Sequence, residues 1–218
     1  VDVGPFKVGF APISHSIPES SALVIDTPDG RVLHSGDFKI DTDPGVGEPF
    51  DHEMFKDIAK NGIKALVCDS TNVFSMHAGR SEATLKSSIA ELIAQAPAMV
   101  VATTFASNVA RLRTLAEAAT SSGRSICLMG RAMRKMVQAA LETGVLDDFP
   151  TVVSPDEAQE IPRQNLMLLC TGSQGERRAA TAQLANGKLQ GISLKEGDTV
   201  LFASSTIPGN ERDVIRIM

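Results

Sequence analysis

Four short apolar runs recur in the second half of the chain: AMVVATTF (98–105), SICLMG (125–130), NLMLLCTG (165–172) and DTVLFASS (198–205). Each ends in a hydroxyl- or glycine-bearing turn, and stretches of helical period stand between or after most of them. Runs of this length without polar alternation suit strands buried on both faces, and helices between such strands require parallel crossovers. An α/β fold follows, with a mainly parallel sheet flanked by helices and ligands expected at the carboxyl ends of the strands. The helices are expected in EATLKSSIAELIAQ, SNVARLRTLAEAATSS, RAMRKMVQAALETG and ERRAATAQLANG.

The first part reads differently. FKVGFAPI alternates, and ALVIDTPDGRVLHSG is two apolar runs joined by Thr-Pro-Asp-Gly, which is hairpin chemistry, so the chain begins with antiparallel strands. FDHEMFKDIAKNG then has helical period with Gly62 as its stop, and IKALVCD is expected as a buried strand. Both periods break in NVFSMHAGRS, which puts the one boundary near residues 72 to 80, dividing the chain into 1–74 and 75–218. The last residues, NERDVIRIM, begin a helix and the first open within a strand, so the chain is expected to be part of a longer protein.

With 43% hydrophobic and 22% charged residues, composition excludes a disordered chain. No stretch nears the roughly 20 apolar residues of a membrane span and no secretory leader opens the chain, which makes a cytoplasmic protein the expectation. Cys68, Cys127 and Cys170 lie in or beside strand-like runs, so buried, inert thiols are expected in place of disulfides or a structural zinc. At a net charge of −5, affinity for nucleic acid has to come from a local basic patch or a metal.

The junctions TTFASN, MGRAM, CTGSQGE and ASSTIPGNE fall on one edge of the expected parallel sheet. They offer Ser107, Asn108, Arg131, Ser173, Gln174, Ser204, Ser205 and Asn210, hydroxyls, amides and a cation at helix starts, where backbone N–H groups favour anions. Arg111, Arg134, Arg177 and Arg178 are near in sequence. Any one junction is explained as well by an ordinary polar helix cap, and any one arginine by a solvated face. The four together point to a groove lined for phosphate. Among the histidines, His15 emerges after an apolar strand into the loop SHSIPES, and His34 precedes Asp37 by three residues; His52 and His77 stand in helix-start or loop contexts. Spacing alone leaves metal ligation and satisfied surface histidines both open.

Taken in order, SHSIPES, HSGDFKID and CDSTN, followed by TTFASN, GRAM, TGSQGE and SSTIPGNE, resemble the ribonuclease J family, nucleases with a metallo-beta-lactamase αββα core and an inserted beta-CASP domain. The similarity runs from about residue 6 to the end. The resemblance implies that His15 binds zinc and that Asp37 bridges two zinc ions, with Gly36 permitting close approach. It further implies that Asp69 stands near the metals and the scissile phosphate, making His15, Asp37 and Asp69 the catalytic candidates. A metal pair would supply hydroxide and offset phosphate charge; carboxylate and imidazole donors suit zinc. By the same resemblance the whole enzyme acts on single-stranded RNA, as an endonuclease and as a 5′–3′ exonuclease, and is compatible with a homo-oligomer.

The family's His-x-His-x-Asp-His segment is expected before residue 1, and its later histidine motifs beyond residue 218. With only His15 and Asp37 as metal ligands, the chain alone is expected to hold metal weakly and to cut nothing. Two other readings stand beside this one: a non-catalytic RNA-binding module, and a beta-CASP nuclease acting on DNA, since no residue is identified that reads a 2′-hydroxyl.

Overall fold

The computed structural model describes residues 1–76 and 79–218; His77 lies outside the described residues. The chain divides into two compact units, Val1–Thr84 and Leu85–Met218.

In the first unit, β1 (Asp2–Val3), β2 (Phe6–Pro12), β3 (Ser21–Thr27), β4 (Gly30–His34) and β5 (Ala65–Val67) form one sheet in chain order. The first four are antiparallel and β5 joins β4 in parallel. Thr27 pairs with Gly30 across the two-residue turn Pro28-Asp29, and the Thr27 hydroxyl donates to the Gly30 carbonyl at 2.8 Å. One face of the sheet is covered. Ala11, Ile13 and Ala22 are buried there against Phe38, Phe50 and the Met54, Phe55 and Ile58 side of α1 (His52–Ala59). The opposite face carries the cross-strand row Phe10, Leu23, His34 and Val67, with Phe6 two residues before Val8, and it stays open: Phe10 is 63% exposed. The α1 start is set by Asp51, whose carboxylate accepts from the Glu53 and Met54 N–H groups at 2.9 and 3.0 Å.

Two expectations are corrected here. β5 is an edge strand and not a buried one, with Leu66 59% and Val67 50% exposed, and Cys68 beside it is exposed. An apolar run of three residues reads alike at a sheet's centre and at its edge; the difference is made by pairing on one side only. His52, at the start of α1, packs edge-on against Phe50 with ring centroids 4.8 Å apart.

The second unit holds a fully parallel sheet in the order β10 (Thr199–Phe202), β6 (Val100–Thr103), β9 (Leu166–Cys170), β7 (Ser125–Met129), β8 (Val152–Val153). Residues of these strands alternate between two buried layers, which explains the unbroken apolar runs. Val100, Ala102, Ile126, Leu128, Met167 and Leu169 face α2 (Lys86–Gln95), α3 (Val109–Ser121) and α4 (Arg131–Glu142). Val101, Cys127, Met129, Leu168 and Cys170 face α5 (Pro155–Glu160), α6 (Ala180–Ala185), Leu189 and Ile192. Cys127 and Cys170 are buried thiols; burial pushes Cys127 up to about 11 and raises Cys170 further.

The sequence reading passes over β8 and α5, although Ser154 and Glu157 form a capping box there, the two backbone N–H groups and two side chains bonding reciprocally. It also starts one helix too early. Residues 172 to 179 form turns, and α6 begins only at Ala180. The reason is close packing: a Cβ on Gly172 would stand 2.0 Å from the Thr181 hydroxyl, and one on Gly175 2.3 Å from the Asp213 backbone in α7 (Glu211–Ile217), both at positive φ.

Candidate functional site

In the first unit, short hydroxyl side chains draw the predicted catalytic segments together. Ser14, buried at the end of β2, donates from Oγ to the Lys39 carbonyl at 2.5 Å and accepts the Asp41 N–H at 3.2 Å, while its own carbonyl takes the Lys39 N–H at 2.8 Å. The segment carrying Asp37 thereby runs beside the one carrying His15. Ser35 makes the second tie: its N–H reaches the Val67 carbonyl at 2.9 Å and its Oγ accepts the Asp69 N–H at 2.9 Å. Since β4 and β5 are parallel, Gly36-Asp37 and Asp69 leave the same end of the sheet.

Asp69 is pinned in a tight local turn. Its Oδ1 accepts the Thr71 hydroxyl and, at 2.8 Å, the Thr71 N–H. These bonds, opposed by partial burial and aided by the Phe38 N–H and the neighbouring His15, hold its carboxyl below the ordinary range. Asp69 is therefore an ionised acceptor beside His15 at neutral pH. Asp37 is exposed, His15 half-buried. Gly36 adopts φ +62°, and a Cβ there would meet the Ser21 carbonyl at an ordinary 3.7 Å, so its demand within the described chain is conformational. His34 turns back on its own segment, accepting the Gly36 N–H at Nδ1 (3.1 Å).

The donors at this end do not make a complete metal site. Among the described residues no three His, Cys, Asp or Glu side chains are grouped to hold one ion, against the three or four protein donors zinc uses.

Sequence reasoning missed Asp41, which shapes this end from behind. Its side chain is 2% exposed and pairs with the Lys39 ammonium at 2.8 Å, while its oxygens accept the Asp43 and Glu82 N–H groups at 3.0 and 3.2 Å. Burial pushes its carboxyl up, but bonds from Lys39, Ser81, Asp43 and Glu82 outweigh that and hold it at about 2. A lone Asp in a loop carries no sequence signal for such a role.

In the second unit the four predicted junctions leave the carboxyl ends of β10, β6, β9 and β7, which are neighbours in that order. Gln174 ties two of them. Its Nε2 donates to the Ser205 carbonyl at 3.0 Å, and its Oε1 accepts from the Ile207 N–H at 2.8 Å and from Asn210 Nδ2 at 3.3 Å. The Ala203 carbonyl accepts from Thr104 Oγ1 at 3.4 Å and from Arg111, which joins the β6 and β10 ends. Asn108 is buried and caps α3, accepting the Arg111 N–H at 3.0 Å. Ser173 and Gln174 are buried; Ser107, Ser204 and Asn210 are half-buried; Ser205 and Arg131 are exposed. The Ser204 hydroxyl is enclosed without a hydrogen-bond partner. Thus Gln174 touches both the Ser205 backbone and the Asn210 side chain, Asn108 is committed to a helix start, and Arg131 stands over β7 at the beginning of α4.

A sequence model described as "Ribonuclease J, beta-CASP domain" matches residues 98–218. Among curated proteins, the chain is similar to "Ribonuclease J" of Sinorhizobium meliloti, with 43% identity over 98% of the chain and 38% of that protein. It is similar to "Ribonuclease J 1" of Streptococcus pyogenes, with 38% identity over 97% of the chain and 38% of that protein. "Ribonuclease J" of Corynebacterium glutamicum is 35% identical over 100% of the chain and 30% of its own length. The chain thus spans well under half the length of these relatives. Among solved structures, a protein of unknown function from Enterococcus faecalis V583 shares the fold alone, with a TM-score of 0.52 and 16% identity over 78% of this chain and 42% of that one. Matched through its parallel-sheet unit by the family's own sequence model, the chain belongs to the ribonuclease J family and carries its beta-CASP domain.

Proposed function

We propose that the chain is part of a ribonuclease that hydrolyses phosphodiester bonds in single-stranded RNA, endonucleolytically and from a 5′ end. Residues 1–74 would contribute to its metallo-beta-lactamase core and residues 75–218 to its beta-CASP domain. The observation that carries this reading is similarity across both units, over 97% to 100% of the chain, to proteins named ribonuclease J. The convergence of His15, Asp37 and Asp69 at one end of the first sheet supports it. Zinc, implied by resemblance, would find two donors in His15 and Asp37, which is short of a site by themselves. The part these residues play in the chain is positional: Ser14 and Ser35 set the segments, and Thr71 keeps the Asp69 carboxylate ionised and aimed. In the second unit, Ser107, Ser205, Asn210 and Arg131 are the members of the predicted phosphate set with accessible surface and polar groups at the sheet edge. The protein would work in the cytoplasm; among the described residues no helix is long and apolar enough to cross a membrane.

The test is Asp37→Ala in the full-length protein, assayed on a 5′-monophosphorylated single strand of RNA and on DNA of the same sequence. Cleavage of RNA is expected to fall to background while binding, followed by anisotropy, stays near wild type. Unchanged cleavage would remove Asp37 from the reaction, and equal cutting of DNA by the unmutated protein would remove the RNA preference.

A further inference from the structure

Acidic side chains outnumber basic ones in this chain, 26 to 21, and in the second unit four cations meet a carboxylate. Lys86 and Arg113 reach Glu117 at 2.7 and 2.9 Å, and Arg163 and Arg216 pair with Asp198 and Asp213. Eight exposed cations of this unit form no ion pair among the described residues: Lys188, Lys195 and Arg212 stand apart, whereas Arg131, Arg134, Lys135, Arg177 and Arg178 fall on two neighbouring connections.

The fold gathers these five. Arg131, Arg134 and Lys135 have i, i+3, i+4 spacing at the start of α4, which puts them on one side of that helix, while Met133, Val137 and Ala140 face the core. Arg177 and Arg178 lie in the turn after β9, the strand paired with β7, and Met129 at the end of β7 is in register with Cys170 at the end of β9. The two connections touch where they leave the sheet. The Thr171 N–H donates to the Met129 carbonyl at 3.2 Å, and Thr171 fills the space beside Gly130, where a Cβ would come within 2.8 Å of it. The chain carrying Arg177 and Arg178 returns to the same threonine, through the Thr181 N–H to its carbonyl at 3.1 Å and the Ala180 N–H to its Oγ1 at 3.4 Å. Of the five, Arg134 alone is partly engaged, donating Nη1 to the Leu128 carbonyl at 3.0 Å.

Five like charges on adjoining connections repel one another, and Glu176 in the same turn does not pair with them, its carboxylate accepting the Gln174 N–H at 3.0 Å. Resting on the reading of the protein as a ribonuclease, we infer that Arg131, Arg134, Lys135, Arg177 and Arg178 form a track for the phosphodiester backbone of single-stranded RNA over the β7 and β9 ends of the sheet. This shifts the weight of RNA contact away from Asn108, Ser173 and Gln174, which are buried, Asn108 capping α3 and Gln174 holding two loops together. A track of flexible cations holds phosphates without reading bases, and each neutralised phosphate releases counterions.

The test uses the full-length protein and a fluorescent oligouridine, with the dissociation constant measured by anisotropy across a series of salt concentrations. Lys135→Gln, Arg177→Gln and Arg178→Gln are combined; a second protein carries Lys86→Gln and Arg113→Gln, removing cations the track does not use. The triple variant is expected to bind about tenfold more weakly at low salt, and to lower the slope of log affinity against log salt by about 2, at roughly 0.7 per lost phosphate contact. The control is expected to keep the wild-type slope. Should the triple variant melt below wild type, Lys135→Gln and Arg177→Gln are measured singly, each expected to remove about 0.7 of slope. A wild-type protein that binds oligouridine without salt dependence would overturn the ribonuclease reading together with the track. Salt-dependent wild-type binding with an unchanged slope in the triple variant would overturn the track and leave that reading standing. Loss of affinity for an acidic peptide without loss for RNA would likewise overturn it and assign the cations to a protein partner.

Discussion

A buried carboxylate decides more of the first unit than its place in a loop suggests. Asp41 is held at about 2, below the ordinary 3.8, because Lys39, Ser81 and two backbone N–H groups outweigh the cost of its burial. A folded-state value below the unfolded one means that its contribution to stability is present above about pH 4 and is lost as pH falls towards 2. Asp41→Asn keeps the shape but not the charge, and is expected to destabilise this unit by about 2 kcal/mol at pH 7. Urea titrations at pH 7 and near pH 2 check this, since the gap between variant and wild type should close at the lower pH. Asp41 was invisible in the sequence because its partners Ser81 and Glu82 are some forty residues away and adjacent only in the fold. His15, Asp37 and Asp69 were legible because each sits in a short recognisable segment that leaves the end of a strand.

At the scale of single elements, local chemistry and tertiary packing divide the work visibly. α3 starts where the sequence expects because Asn108 caps it, an interaction contained within four residues. Asn108→Ala is expected to cost about 1 kcal/mol and Asn108→Asp much less, since a carboxylate caps as well as an amide. Thermal melting of both variants beside an RNA-binding measurement separates the cap from a phosphate contact; Asn108→Asp weakening RNA while keeping stability would restore Asn108 as a contact residue. α6 shows the opposite case. Its sequence pattern is helical from Glu176, yet Gly172 and Gly175 must let Thr181 and Asp213 approach their Cα atoms, so the segment turns before it can wind. Propensity yields there to packing from elsewhere in the unit. β5 similarly has strand chemistry, but its exposure follows from its place at the edge of the sheet.

Across the whole chain there are two cores of different character. The second unit buries both faces of its sheet, and the first buries one, with Phe6, Phe10 and Val67 on the open side. Phe10→Thr is expected to change the stability of the chain by less than about 1 kcal/mol and to reduce binding of a hydrophobic dye. Ala22→Leu on the covered face should cost about 1 to 3 kcal/mol, because Ala22 has no exposed surface and the added methyl groups must displace packed neighbours. Denaturation of both variants with dye fluorescence tests the asymmetry; equal losses would refute it. What the sequence determined by itself was the class of the fold, the parallel sheet, the hairpin, most helix starts and the segments of the candidate site, since each rests on periodicity or on a cap or turn spanning a few residues. Only the tertiary structure decided which apolar strand is an edge, which glycines exist for close approach, which polar side chains are spent on holding loops, and which five cations are left unpaired on neighbouring connections. Those depend on strand order and on contacts between residues far apart in the chain, and a strand's own pattern is the same whether one neighbour or two lie beside it.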